Sequence, residues 1–320
     1  MFMPSQNLLW VFAGLFALLS LGTIVRLALL RGLSDNGSQS HLKSVRSWWA
    51  LAILLSVAVL HGNVGVAFLL AAGGMLSLRE YLKIIGWEQV GPQTAYVIFA
   101  IVPIYYALLS FGHTEDAPSV LVLASIIIIG AVRASLGLVD DYIRITASAL
   151  WSIVLFVYCL SHAYLLLTLP GLPAPWAGKF GWFLYLVFLT EANDIAQALI
   201  GRSFGRTKIA PRISPNKSAE GLLGGIITTT TLAVLLAPWL TSFMRSSWVT
   251  GVFVSVLSGL LIATFGFLGD LNKSGIKRDV GIKDSGTILP GQGGMMDRVD
   301  SLTFSAPVFY FLVKTAIILN

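Results

Sequence analysis

About ten stretches of near-spanning length, each dominated by apolar side chains, follow one another along the 320 residues, and few folds accept such a chain. A helix needs about 20 apolar residues to cross the hydrocarbon core of a bilayer. The stretches lie near residues 8–30, 47–61, 63–79, 94–111, 118–138, 147–168, 180–200, 221–240, 248–268 and 301–319. With 56% hydrophobic and 11% charged residues and a mean hydropathy of +0.82, a soluble globular domain is excluded. The expected fold is an all-α polytopic membrane protein with about ten transmembrane helices. The second and third stretches are short and divided only by His61-Gly62-Asn63, so a re-entrant pair stands beside two full spans. Nothing before Trp10 is positively charged, and the first apolar run is too long for a cleaved leader, so it reads as a retained anchor.

Basic residues set the expected orientation. If the first loop is cytoplasmic, 18 of the 21 Lys and Arg residues fall on that side, and only Lys179, Arg245 and Lys314 on the other. That split fits ten spans with both termini outside, and it puts the segments 201–221 and 270–300 in the cytosol. The pI near 9.5 is then mainly a topology signal, with attraction to anionic lipid headgroups second, and nucleic acid is not an indicated partner. A single cysteine, Cys159, excludes a disulfide framework or thiolate cluster, and the four histidines show no ligand spacing.

Two cytoplasmic segments stand apart from ordinary connectors. Residues 270–300 carry five acids, five bases and six glycines between two apolar runs. Asp297 and Asp300, three apart at the entrance of the last helix, can share a face, with Arg298 beside them. Asp270 is read as the end of the preceding helix. If the loop folds back, Asp270 and Asp297 converge, and two carboxylates near lipid call for a hard cation such as Mg²⁺, completed by substrate phosphates. The alternative is that acids and bases of the loop pair with one another. Gly291, Gly293 and Gly294 allow close backbone approach to a ligand. In residues 201–221, Ser214, Asn216 and Ser218 surround Lys217 just before an apolar helix, whose free N–H groups would hold phosphate beside that lysine. Glu220 either caps that helix start or positions substrate or metal. Glu191, Asn193 and Asp194 lie in the seventh apolar run, where ionisable residues are functional candidates, Asp194 the strongest of the three. Asp140-Asp141 read as solvated.

Ser274, Lys277, Arg278, Lys283, Asp284, Gly286, Pro290, Gly291, Gly293, Gly294, Asp297, Arg298 and Asp300 stand at the spacing of a known signature, with Gln292 in place of its histidine. The chain resembles the phosphatidate cytidylyltransferases, or CDP-diacylglycerol synthases. Asp194, Gly201, Arg202, Phe204, Gly205, Lys208, Ala210, Pro211, Ser214, Pro215, Lys217, Glu220 and Gly221 look like an earlier region of the same family. The resemblance covers roughly residues 46–320, and residues 1–45 look like an added anchor and loop.

The resemblance implies transfer of CMP from CTP to phosphatidate, giving CDP-diacylglycerol and pyrophosphate, by catalytic loops at the cytoplasmic membrane surface. It implies catalytic roles for Asp270, Asp297, Lys277, Arg278 and Arg298, and metal ligation by Asp270, Asp297 and Asp300. Asp194, Ser214, Asn216, Lys217, Ser218, Glu220, Ser274, Lys283, Asp284, Gln292, Gly293 and Gly294 would bind substrate. Mg²⁺ with a second cation, and a homodimer, are further implications. The nucleophile, a phosphate oxygen, is already anionic, so positioning and electrostatics dominate and no strong base is needed. Departures are Ile195, Ala196, Gln197 and Ala198 after Asp194, Ala219 before Glu220, and Gln292, which cannot titrate but can donate a hydrogen bond. These departures suggest a divergent paralogue. A CTP-dependent transferase or kinase acting on another lipid, and a non-catalytic lipid-binding relative, stand as alternatives.

Overall fold

The computed structural model describes residues 5–30, 35–245, 247–282, 285–286, 288 and 293–318. The chain is helical almost throughout: α1 Gln6–Leu30, α2 Asp35–Leu60, α3 Gly62–Ile85, the single turn α4 Trp87–Val90, α5 Pro92–Ser110 and α6 Ala117–Ser135. The next span starts as α7 Tyr142–Ile153, widens into one π-helical turn and finishes as α8 Leu160–Leu165. Then follow α9 Phe180–Phe204, the antiparallel hairpin β1 Lys208–Ala210 and β2 Ser214–Ser218, α10 Ala219–Leu240, α11 Trp248–Asp279 and α12 Met296–Ile318.

Among the described residues, eight helices are long and apolar enough to cross a membrane, and the apolar part of α2, Ser44–Leu60, is shorter. Helices satisfy their own backbone groups, which lipid cannot do, so apolar runs of this length fold this way. Large apolar side chains such as Phe68, Phe111, Ile143 and Val249 point outward, as a bilayer solvent permits. The second and third apolar stretches form two separate helices that meet at His61–Gly62.

The core that carries the site is the packing of α9, α10, α11 and α12. Glycines let the helices approach closely, as is common where apolar solvent gives no hydrophobic drive. A Cβ on Gly259 of α11 would lie 2.6 Å from the Thr230 Cα of α10, and one on Gly181 of α9 would lie 2.7 Å from the Leu240 carbonyl oxygen. Buried polar side chains tie the same helices together. The Asn193 amide of α9 donates to the Ala263 carbonyl (3.3 Å) and accepts from Thr229 Oγ1 (3.4 Å), and Tyr185 shares a hydrogen bond with Ser258 at 2.8 Å.

Two helix lengths differ from expectation, and both matter for the site. The apolar run of α11 stops near residue 268, yet the helix continues to Asp279: Leu271 to Asp279 contains no proline to break it, and Leu271, Lys273, Lys277 and Arg278 favour a helix. Its 32 residues are about 48 Å long, more than the ~30 Å hydrocarbon core, so its last turns project beyond the apolar layer. Asp270 therefore does not end a helix. It begins a polar face on which Lys273 and Lys277 follow at three and seven positions. Likewise α3 runs past residue 79 to Ile85 and carries Glu80 to the same end of the bundle.

Candidate active site

Four segments bring charge together at one end of the bundle: the last turns of α11, the first turn of α12, the strand β2 and the C-terminal half of α9. Lys273 Nζ lies 3.0 Å from Asp270 and 3.3 Å from Asp297, and it also pairs with Asp300. Lys217, delivered by β2, pairs with the other oxygen of Asp270 and donates to Gln197 Oε1 at 3.3 Å. Lys277 donates to Asp297 at 2.9 Å. The cluster is thus three carboxylates interleaved with three ammonium groups, all largely shielded, with side-chain exposures from 6% to 20%. In that shielding each charge depends on its neighbours, and removing one leaves another uncompensated.

The backbone around Asp297 is shaped to hold it. Ser285 Oγ donates to Asp297 Oδ2 at 2.6 Å and the Gly294 N–H donates to the same oxygen at 3.2 Å. Gly293 has φ +89°, a conformation that favours glycine, and a Cβ there would come within 2.9 Å of the carboxylate. Glu80 accepts the first free N–H groups of α12, from Met295 (2.9 Å) and Met296 (2.8 Å), as a carboxylate at a helix N-terminus should. A Cβ on Gly294 would collide with Glu80 and lie 2.6 Å from Ser285 Oγ. The signature glycines therefore let the loop backbone close around two of the protein's own carboxylates.

Asp194 faces the same centre, accepting from Ser301 Oγ at 3.0 Å, while the Ser301 N–H donates to Asp300 at 2.7 Å. Beside it opens a cleft of about 630 Å³ whose polar wall includes Glu191, Asp194, Arg202, Lys273, Asp297 and Arg298. Its other wall is apolar: Trp48 of α2 and Ile195, Ala198 and Leu199 of α9. Ile195 and Leu199 are exposed, so apolar and charged side chains border the same opening.

The remaining sequence candidates take other places. Ser218 is the N-cap of α10, accepting the Gly221 N–H at 3.2 Å, and Gly201, Gly205 and Gly221 pack closely around its hydroxyl. Glu220 holds the hairpin entrance, accepting the backbone N–H groups of Arg206 (3.0 Å) and Thr207 (3.1 Å). Arg278 donates to the carbonyls of Ile213 (3.2 Å) and Ile282 (3.2 Å), joining the hairpin to the end of α11. Ser214 and Asn216 alternate with Lys217 along β2, and Ser274 sits on α11 beside Lys273; no hydrogen bond among the described residues ties these three to the cluster. Lys283, Asp284, Gly291 and Gln292 lie outside the described residues. Asp141 pairs with Arg144 at 2.7 Å on an exposed surface, as its solvated reading expects.

Sequence reasoning missed Lys273, Glu80, Ser285 and Ser301. Lys273 was concealed by ending the helix at Asp270; the spacing of three and seven to Lys273 and Lys277 would have exposed it. Glu80 was hidden beside Arg79 as one more loop charge, although an acid at the edge of an apolar run is itself a signal.

An oxygen-only set of carboxylates suits a hard divalent cation in donor type. Among the described residues, however, no group of three or more His, Cys, Asp and Glu side chains forms a ready metal cage, and the space between Asp270 and Asp297 holds the Lys273 ammonium.

The chain is 35% identical over 307 residues to an uncharacterised protein, YnbB, of Escherichia coli, covering 94% of this chain and 97% of that one. It is 39% identical over 143 residues to the phosphatidate cytidylyltransferase of Haemophilus influenzae, and 39% over 132 residues to that of Aquifex aeolicus. These last two matches span 43% and 41% of this chain and 48% and 47% of the relatives, about half of each enzyme. The profile of the Cytidylyltransferase family matches residues 42–316, which takes in every element of the cluster and leaves α1 outside, and the chain belongs to that family.

Proposed function

We propose that the protein transfers the cytidylyl group of CTP to the phosphate of phosphatidate, giving CDP-diacylglycerol and pyrophosphate, at the cytoplasmic surface of a membrane and with Mg²⁺. The observation that carries this reading is the cleft lined both by charged side chains of the cluster and by the apolar Trp48, Ile195, Ala198 and Leu199, of which Ile195 and Leu199 are exposed. A lipid phosphate can enter it sideways with its acyl chains still in the bilayer, while the nucleotide approaches from water. The kinship to phosphatidate cytidylyltransferases supports the choice of lipid. The distribution of Lys and Arg supports the side of the membrane.

In this reaction an anionic oxygen of phosphatidate attacks the α-phosphorus of CTP, a new P–O bond forms, and the bond from that phosphorus to the bridging oxygen of the β-phosphate breaks. The electron pair leaves with pyrophosphate. The nucleophile carries its charge already, so no base has to be created. The obstacle is repulsion between two phosphate groups, and positive charge held in place lowers it. Lys217 and Lys277 each contact only one cluster carboxylate and stand where they can turn to phosphate oxygens. Arg298 and Arg202 line the cleft and add charge along its wall. Asp270 and Asp297 would hold Mg²⁺ in place of the Lys273 ammonium that stands between them, and when bound the ion supplies charge neutralisation at the triphosphate.

The test is purified protein in detergent with phosphatidate, Mg²⁺ and CTP labelled at the α-phosphate. Label in the lipid product together with released pyrophosphate is the expected result. Label recovered only as CDP would mean phosphoryl transfer instead, and no labelled lipid from any phosphatidate would refute the proposal.

A further inference from the structure

At the end of the bundle away from the charged cluster, a cavity of about 470 Å³ opens between the α5–α6 connection, the span that finishes as α8 and the last turns of α12. Tyr310 of α12 lines it, thirteen residues beyond Asp297 and so about 20 Å further along that helix. Its size is that of a small-molecule site, and it shares no lining residue with the cleft described above.

Two opposite charges stand at its rim. Glu115 and Lys314 both line the cavity and both are exposed, yet among the described residues they form no ion pair with each other or with any other side chain. The deeper lining is aromatic. His162, only 2% exposed, packs edge-on against Tyr158 (ring centroids 4.9 Å apart) and Tyr310 (5.2 Å), and all three border the cavity. His162 Nδ1 lies 2.9 Å from the Tyr158 carbonyl oxygen and must carry a proton to donate to it, so in the neutral ring Nε2 is an acceptor.

These groups suit a ligand that is itself a zwitterion. A cation is attracted by Glu115 and by the faces of the aromatic rings, and an anion by Lys314. His162 Nε2 accepts only from a cation with an N–H to give, which a primary ammonium has and a quaternary one lacks. Phe311, 50% exposed, also lines the cavity, so an apolar edge adjoins the charged rim, as at the headgroup level of a bilayer. We propose that this cavity binds the phosphoethanolamine headgroup of a membrane phospholipid, with the ammonium toward Glu115 and His162 and the phosphate toward Lys314. Binding here is independent of the reaction proposed above.

The experiment mixes delipidated full-length protein in detergent with equal amounts of phosphatidylethanolamine, phosphatidylcholine and phosphatidylglycerol of one acyl composition, and counts retained lipid by native mass spectrometry. One phosphatidylethanolamine per chain, preferred over both other lipids, is expected in wild type. Glu115→Gln and Lys314→Gln should each weaken its retention about fivefold, the scale of one exposed charge pair, and Asp297→Asn should leave it unchanged. No preference for phosphatidylethanolamine in wild type overturns the inference. So does a preference that survives in the Glu115→Gln/Lys314→Gln double variant, or one that is lost in Asp297→Asn. Soluble glycerophosphoethanolamine is tested in parallel, and its binding without retention of any lipid would refute a membrane source. The wild-type comparison needs no variant, so a variant that fails to fold does not protect the proposal.

Discussion

Glu80 and Met296 stand 216 positions apart, and the Glu80 carboxylate accepts the Met296 N–H at 2.8 Å and the neighbouring Met295 N–H at 2.9 Å. A side chain of α3 thereby caps α12 and fixes the turn that carries Asp297. Glu80→Ala should destabilise the folded protein by about 3 kcal/mol, since buried N–H groups lose a charged acceptor. It should also reduce CMP transfer. Thermal unfolding in detergent and the labelled-CTP assay check both, and a variant with wild-type stability would show that the contact does not matter.

Glycines within one short region should respond in opposite ways. Gly294→Ala forces a methyl group onto Glu80 and Ser285 and should cost about 1–3 kcal/mol. Gly275, in the interior of α11, has nothing within 4 Å of a Cβ position, so Gly275→Ala should stabilise by about 0.5–1 kcal/mol. Melting temperatures of the two variants, measured side by side, decide the matter.

Asp297→Asn should lower the rate of CMP transfer by roughly 10²–10³-fold, the scale expected when one preorganised charge is removed from a water-excluded site. Asp279→Asn, at the exposed end of the same helix that bears Asp270, should leave the rate near wild type. Equal rates in all three proteins would remove Asp297 from the site.

Glu220→Ala should act through position and not through contact with the reacting groups. Its carboxylate holds the N–H groups of Arg206 and Thr207 at the hairpin entrance, and the same hairpin presents Lys217 to Asp270. The expected signature is a raised KM for CTP with a smaller change in kcat. A collapse of kcat at unchanged KM would instead mark Glu220 as a group acting in the transition state.

Much of this protein was legible from pattern alone. Apolar runs of spanning length dictate helices, because backbone polar groups in lipid have no partner but each other. The spacing of Asp297 and Asp300, and the place of Lys217 just before a helix start, likewise follow from local sequence, and so did their nomination as site residues. Local sequence could not show where α11 ends, since the change from apolar to polar at residue 269 marks the edge of the apolar layer and not the end of the helix.

Only the tertiary structure decided which charges meet. Lys273 lies between Asp270, three residues before it, and Asp297 and Asp300, on another helix reached through a loop. Glu80 arrives from α3 to cap α12, and Ser218 and Glu220 turn out to brace the hairpin that carries Lys217. Sequence determined that this is a membrane protein with a polar segment that carries the family's signature spacing, because hydropathy and motif spacing are properties of neighbours along the chain. The pairing of each acid with its base depends on distances across the bundle, which the packing of helices, hairpin and loop sets together.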